Sequence, residues 1–158
     1  KPRFVAGVIG PTSHSLSSSP SAEDPSQRSA TWEDVVATYT EQVRGLVEGG
    51  ADLLAIEMVA DTLNAKAAVY AIDEYFGQTK KERLPLLITA VISRSGKVPS
   101  GQGLEAFLIS IKHARPLSVG ITGTLSVSEL KSAARVLADS SSTWCHVSAG
   151  AGESADAL

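Results

Sequence analysis

One carboxylate stands where a parallel α/β protein places groups that meet a ligand. An apolar strand is expected over Asp52 to Ile56, and Glu57 follows directly at its C-terminal end. A short polar turn comes next, and then an alanine-rich helix that starts near Asp61 or Thr62. Ligands in such folds sit just beyond the carboxyl ends of the strands, so Glu57 is the first candidate site residue. The remaining titratable residues offer less. Cys145 is the only cysteine, which excludes an internal disulfide and a multi-cysteine metal cage. His146 adjoins it in an expected strand, so the two side chains point to opposite faces and cannot serve one site together. Cys145 is expected to behave as a small buried hydrophobe. His14 in a serine-rich loop and His113 at a helix end are expected to be structural or solvated.

Alternating strands and helices must position these groups. The first strand is expected over Phe4 to Ile9, closed by Gly10-Pro11. Residues 12 to 30 form a long serine- and proline-bearing loop, read as a solvated connector. Thr31 can cap a helix whose apolar stripe is Val35, Val36, Tyr39, Val43, Leu46 and Val47, stopped by Gly49-Gly50. The helix after Glu57 carries Ala65, Ala68, Val69, Ile72 and Phe76 on one face. A third strand spans Leu86 to Ile92, and a loop runs from Ser93 to Gly103. Leu104, Phe107, Leu108 and Ile111 recur at helical spacing, and that helix ends near His113. The fourth strand is Leu117 to Ile121. Ser126-Val127-Ser128-Glu129 is a capping box that opens a fourth helix, and Thr143 to Ser148 is the fifth strand. Strict alternation with short links implies a parallel sheet with right-handed crossovers. An open doubly wound sheet and an arc of a (β/α)8 barrel both satisfy it. Length alone favours the open sheet, because a full barrel takes about 250 residues.

Composition narrows the function classes. The 158 residues are 43% hydrophobic and 20% charged, an ordinary globular balance that fits one domain over 1–158. The net charge of -3 argues against a phosphate-neutralising surface, so no nucleic-acid partner is expected. No apolar run approaches the roughly 18 residues of a membrane span. Lys1-Pro2-Arg3-Phe4 lacks the apolar core of a signal peptide. A reducing, cytoplasmic setting is expected. Gly7-Val8-Ile9-Gly10 and Gly101-Gln102-Gly103 lack the spacing of a dinucleotide fingerprint, and there is no Walker motif.

Several ordered blocks carry a family resemblance. Phe4-Val5-Ala6-Gly7-Val8-Ile9-Gly10-Pro11-Thr12, Leu46-Val47-Glu48-Gly49-Gly50-Ala51-Asp52, Ile56-Glu57 with Asp61-Thr62-Leu63-Asn64-Ala65-Lys66-Ala67-Ala68, Ser100-Gly101-Gln102 and Glu105-Ala106-Phe107 are similar to the homocysteine-binding domain of cobalamin-dependent methionine synthase. The similarity runs from residue 1 to about residue 152. It implies a partial (β/α)8 TIM barrel, five parallel strands and four helices matching barrel strands three to seven. It implies homocysteine as substrate and partnership with the cobalamin and folate domains of a longer parent. In that family, zinc held by three cysteines ionises the homocysteine thiol, which then takes a methyl group from methylcobalamin. The resemblance also places Glu57 where related enzymes bind the substrate's amino group. It places Thr122 and Gly123 at the family's Asn-Cys pair, so the substrate-binding candidates are Glu57, Thr122 and Gly123 and a zinc ligand has become glycine. Ala149-Gly150-Ala151-Gly152 stands for the family's Pro-Asn-Ala-Gly. The chain itself is expected to carry no catalytic residue, metal ligand or cofactor and to be inactive alone. The alternative is a non-catalytic binding or interaction module on a degenerate barrel scaffold. Five strands leave two open edges and an uncovered inner face, lined by residues such as Val5, Leu53, Ile88 and Val119 or their neighbours, so self-association is expected.

Overall fold

A computed structural model of the chain describes residues 1–149. Five strands alternate with four helices: β1 (Ala6–Ile9), α1 (Trp32–Glu48), β2 (Leu53–Val59), α2 (Thr62–Thr79), β3 (Leu86–Val91), α3 (Leu104–Ile111, continued by a 3-10 turn over Lys112–Ala114), β4 (Ser118–Gly123), α4 (Val127–Ser140) and β5 (Trp144–Ala149). All neighbouring strands pair in parallel, in the order β1-β2-β3-β4-β5. That order decides between the two architectures. A doubly wound sheet reverses its strand order, whereas a barrel adds each strand beside the last. The described residues therefore form an unclosed arc of a (β/α)8 barrel, as the family resemblance implies, and not the open doubly wound sheet that length alone favoured.

Helix boundaries follow from local chemistry. Thr31 and Asp34 form a reciprocal capping box at the start of α1: Asp34 N–H donates to Thr31 Oγ1 at 3.2 Å and Thr31 N–H to Asp34 Oδ2 at 3.0 Å. Ser126 and Glu129 do the same for α4. Gly50, at a φ of +86°, supplies the left-handed step that turns α1 towards β2. The core lies between the sheet and the helices. Ile9, Leu54, Ile56, Leu86, Ile88, Ala90, Val119 and Ile121 face Val35, Tyr39, Val43, Ala68, Ile72, Phe107 and Leu137, and all are buried. Small residues on α2 (Ala65, Ala67, Ala68, Ala71) let that helix lie close to its neighbours.

Period-two alternation then assigns the inner face: Val8, Leu53, Ala55, Glu57, Leu87, Thr89, Ser118, Gly120, Thr122, Trp144, His146 and Ser148. Leu53 is inward as expected. Ile88 and Val119 are not, and their neighbours take that role. This face is also more polar than expected over β3, β4 and β5. Exposed apolar groups gather instead at the edges, with Val8 at 55% and Trp144 at 77% exposure. Cys145 corrects another expectation: it is exposed, because β5 has a neighbour on only one side among the described residues. No described helix is long and apolar enough to cross a membrane.

Candidate functional site

Strand β2 runs three residues further than the sequence pattern indicates, through Val59, and this extension shapes the site. The register with β3 slips between Ile56 and Val59, so Glu57 and Met58 together oppose Thr89. Met58 accommodates the bulge at a φ of +57°. A left-handed conformation is costly for a residue with a Cβ, and bulges of this kind re-aim neighbouring side chains at strand ends. The bulge leaves Glu57 half-buried on the inner face. None of the three ion pairs among the described residues includes it: these are Glu41–Arg44, Asp73–Arg83 and Glu129–Arg94. Met58→Gly is expected to raise stability by about 0.5–1 kcal/mol in urea denaturation, since glycine adopts the left-handed conformation without strain.

Beside Glu57, the first part of the long loop is not a free connector. Asp61, the N-cap of α2, is 6% exposed and accepts four hydrogen bonds: from Leu63 N–H (2.9 Å), Ser15 Oγ (2.6 Å), Ser17 N–H (2.8 Å) and Ser17 Oγ (2.7 Å). Asn64, one turn on, accepts from Leu16 N–H at 2.9 Å and donates to the His14 carbonyl at 2.7 Å and to Thr12 Oγ1 at 3.1 Å. Leu16 is thereby held in the core. Burial pushes the Asp61 carboxyl up, but the hydrogen bonds from Ser15, Ser17 and Leu63 outweigh it and hold the group below its usual value. The clamp borders an open-sided cavity of about 170 Å³ lined by Thr12, His14, Tyr39, Glu57, Asn64 and Ala65 among others. A larger hollow of about 620 Å³, between α3 and the start of β4 and β5, opens at the N-terminal end of the sheet. Parallel sheets hold their ligands at the other end, which keeps the candidate site at Glu57.

A polar row continues from Glu57 across the sheet. Thr89 pairs with Gly120, and Gly120 with His146. A Cβ at Gly120 would run into the His146 ring, so glycine there lets the imidazole lie across β4 and reach β3. His146 Nε2 lies 2.8 Å from Thr89 Oγ1, and Nδ1 lies 2.7 Å from Ser118 Oγ. Ser118 Oγ also donates to the Trp144 carbonyl at 3.1 Å. With the Ser118 proton on the Trp144 carbonyl, Nδ1–H donates to Ser118 and Nε2 accepts from Thr89; with it on Nδ1, the ring carries its hydrogen on Nε2 and donates to Thr89. Burial lowers the His146 pKa, and the Glu57 carboxylate opposes this by favouring the charged form.

At the rim, β4 extends through Gly123, so Thr122 and Gly123 lie in the strand rather than after it. Thr122 is buried on the inner face, and its carbonyl accepts from Ile92 N–H at 2.8 Å. A Cβ at Gly123 would collide with the Ile92 carbonyl oxygen. The donor set here does not fit a thiolate-held zinc. Position 123 has no room for a side chain, Cys145 lies on the face opposite His146, and no group of three or more His, Cys, Asp or Glu among the described residues is placed to hold a metal. Gly150 to Gly152 lie outside the described residues.

Residues 1–157 match the sequence profile of the family described as homocysteine S-methyltransferase. The chain belongs to that family. Solved structures of the homocysteine methyltransferase MmuM from Escherichia coli share the fold. The apo form is 19% identical with a TM-score of 0.74, covering 97% of this chain and 51% of its own. The metallated form is 21% identical with a TM-score of 0.71, covering 97% and 50%. This chain therefore spans about half the length of those structures. Asp61 was visible in the sequence only as a residue near the start of α2, and neither its cap nor its grip on the serine loop was. The contacts of His146 with Thr89 and Ser118 were missed altogether, since they join residues 57 and 28 positions apart.

Proposed function

We propose that this chain forms the substrate-anchoring arc of a homocysteine-binding barrel and does not itself supply the metal that activates the thiol. The observation that carries this reading is Glu57, a carboxylate outside the described ion pairs, on the inner face at the carboxyl ends of parallel strands and beside a small cavity. An ionised carboxylate there suits the α-ammonium of an amino acid, as a charge-assisted hydrogen bond. Thr122 offers a hydroxyl at the same rim, and Gly123 lets β4 approach β3 closely. Family membership supports homocysteine as the amino acid. Methyl transfer from methylcobalamin or methyltetrahydrofolate, as in methionine synthase, would draw on domains beyond this arc.

Calorimetric titration with L-homocysteine tests the anchor. Wild type is expected to bind, and Glu57→Gln to bind about tenfold or more weakly, the worth of one charge-assisted hydrogen bond. Equal affinity in the two proteins would remove Glu57 from the site.

A second reading, an interaction module, is favoured by the exposed Trp144 and Val147 on β5 and by Val8 on β1. Unpaired parallel edges with apolar flanks promote association. The purified chain is expected to elute larger than a monomer in size-exclusion chromatography. A monodisperse monomer with a sharp cooperative melt would contradict that expectation.

A further inference from the structure

We infer that His146 is the proton acceptor for the substrate thiol in the site anchored by Glu57, with the imidazole doing by proton transfer what a metal does by coordination. This rests on the homocysteine-binding reading above and extends it to a residue that the reading does not use.

Three structural facts support it. First, the network accommodates the tautomer that the step needs. With the Ser118 proton on the Trp144 carbonyl, Nδ1–H donates to Ser118 and the lone pair of the neutral ring is on Nε2. Second, Gly120 leaves room for the ring to cross β4, which carries Nε2 towards β3 and β2 and into the row that contains Thr89 and Glu57. Third, the group that meets Nε2 is a neutral hydroxyl, Thr89 Oγ1 at 2.8 Å, and not a charged side chain. The charged or titratable side chain acting on the ring is Glu57 on β2, while β3 and β4 present the hydroxyls of Thr89 and Ser118.

The step is a proton transfer and needs no co-reactant. The S–H bond breaks, its proton passes to Nε2, and the electron pair stays on sulfur. The products are a thiolate and an imidazolium whose Nδ1–H remains on Ser118. A free thiol ionises near pH 8.5, and a histidine partner lowers that value by stabilising the thiolate as an ion pair. Burial disfavours the imidazolium when the ring is alone. The thiolate beside it and the Glu57 carboxylate both act in the opposite sense.

The test uses the whole chain with L-homocysteine, and with L-methionine as the ligand that keeps the ammonium and carboxylate but lacks a thiol. Nitrogen-15 NMR of the free protein is expected to show the Nδ1–H tautomer at His146. The thiolate absorbance of bound homocysteine is expected to titrate at least about one pH unit below that of free homocysteine. In His146→Gln that shift is expected to vanish while methionine binding is retained. An Nε2–H tautomer overturns the inference without any variant. So does a bound thiol with an unshifted titration, or a shift that survives in His146→Gln. Methionine binding combined with an unshifted homocysteine thiol overturns this inference and leaves the Glu57 anchor standing. Failure of both ligands to bind removes the anchor and the inference together.

Discussion

Asp61→Ala is expected to destabilise the chain by about 3 kcal/mol in urea denaturation, since a buried charged acceptor and a helix cap are lost together. Four donors lose their partner: Ser15 Oγ, Ser17 N–H, Ser17 Oγ and Leu63 N–H. The effects overlap and do not add, which keeps the figure near that of one broken network. The loop is expected to detach at its clamped end, so amide exchange at Ser17 should accelerate in the variant more than exchange within β3. Asp61→Asn should fall between the two proteins, because its amide keeps one acceptor and presents hydrogens where Ser17 donates. The pH dependence follows from the same contacts. The folded-state pKa of Asp61 lies below its usual value, so its contribution is present above about pH 4, the unfolded value, and is lost as pH falls through the lower folded value. Wild type is expected to lose stability more steeply than Asp61→Ala below about pH 4. A variant within about 0.5 kcal/mol of wild type would mean that the loop is held by something other than this clamp.

Gly123→Cys is expected to cost about 3 kcal/mol, the upper range for overpacking a site that cannot relax cheaply. The obstacle is the Ile92 carbonyl oxygen, a backbone atom fixed by the β3–β4 pairing and by the Ile92 N–H bond to the Thr122 carbonyl. A side chain at this position therefore strains the strands that define the rim. No zinc affinity is expected to accompany the change, because one thiolate without nearby partners is far from a four-ligand site. A Gly123→Cys protein as stable as wild type would show that β4 has more freedom at its end than the register implies. Stoichiometric zinc in that variant would show that further donors lie within reach.

Much of the scaffold was readable from local pattern. The stripes of Val35, Tyr39 and Val43 and of Leu104, Phe107 and Ile111 marked α1 and α3, and the caps at Thr31 and Ser126 fixed the starts of α1 and α4. Glu57 was identifiable as a strand-end carboxylate. What lay beyond the sequence was of two kinds. The apolar run of β3 does not alternate cleanly, so the sequence left open whether Ile88 and Val119 or their neighbours face inward, and the register assigns the neighbours. The bulge at Met58 left no mark because it uses a residue other than glycine at positive φ. Long-range polar contacts form the second kind. Nothing local links Thr89 and Ser118 to His146, or Ser15 and Ser17 to Asp61. Alternation and length alone left barrel arc and open sheet undecided; the resemblance pointed to the arc, and the strand order bears it out. Cys145 took the exposure of an edge strand instead of the burial usual for its residue type.

The central claim is that the amino-acid anchor persists at Glu57 while the metal site does not. It is tested most directly by equilibrium dialysis of the chain against zinc, with and without L-homocysteine, followed by metal and ligand analysis of the retained protein. The account predicts retained homocysteine, no stoichiometric zinc in either case, and homocysteine retention unchanged by a chelator. Stoichiometric zinc bound through the homocysteine sulfur, or retention that a chelator abolishes, would contradict it.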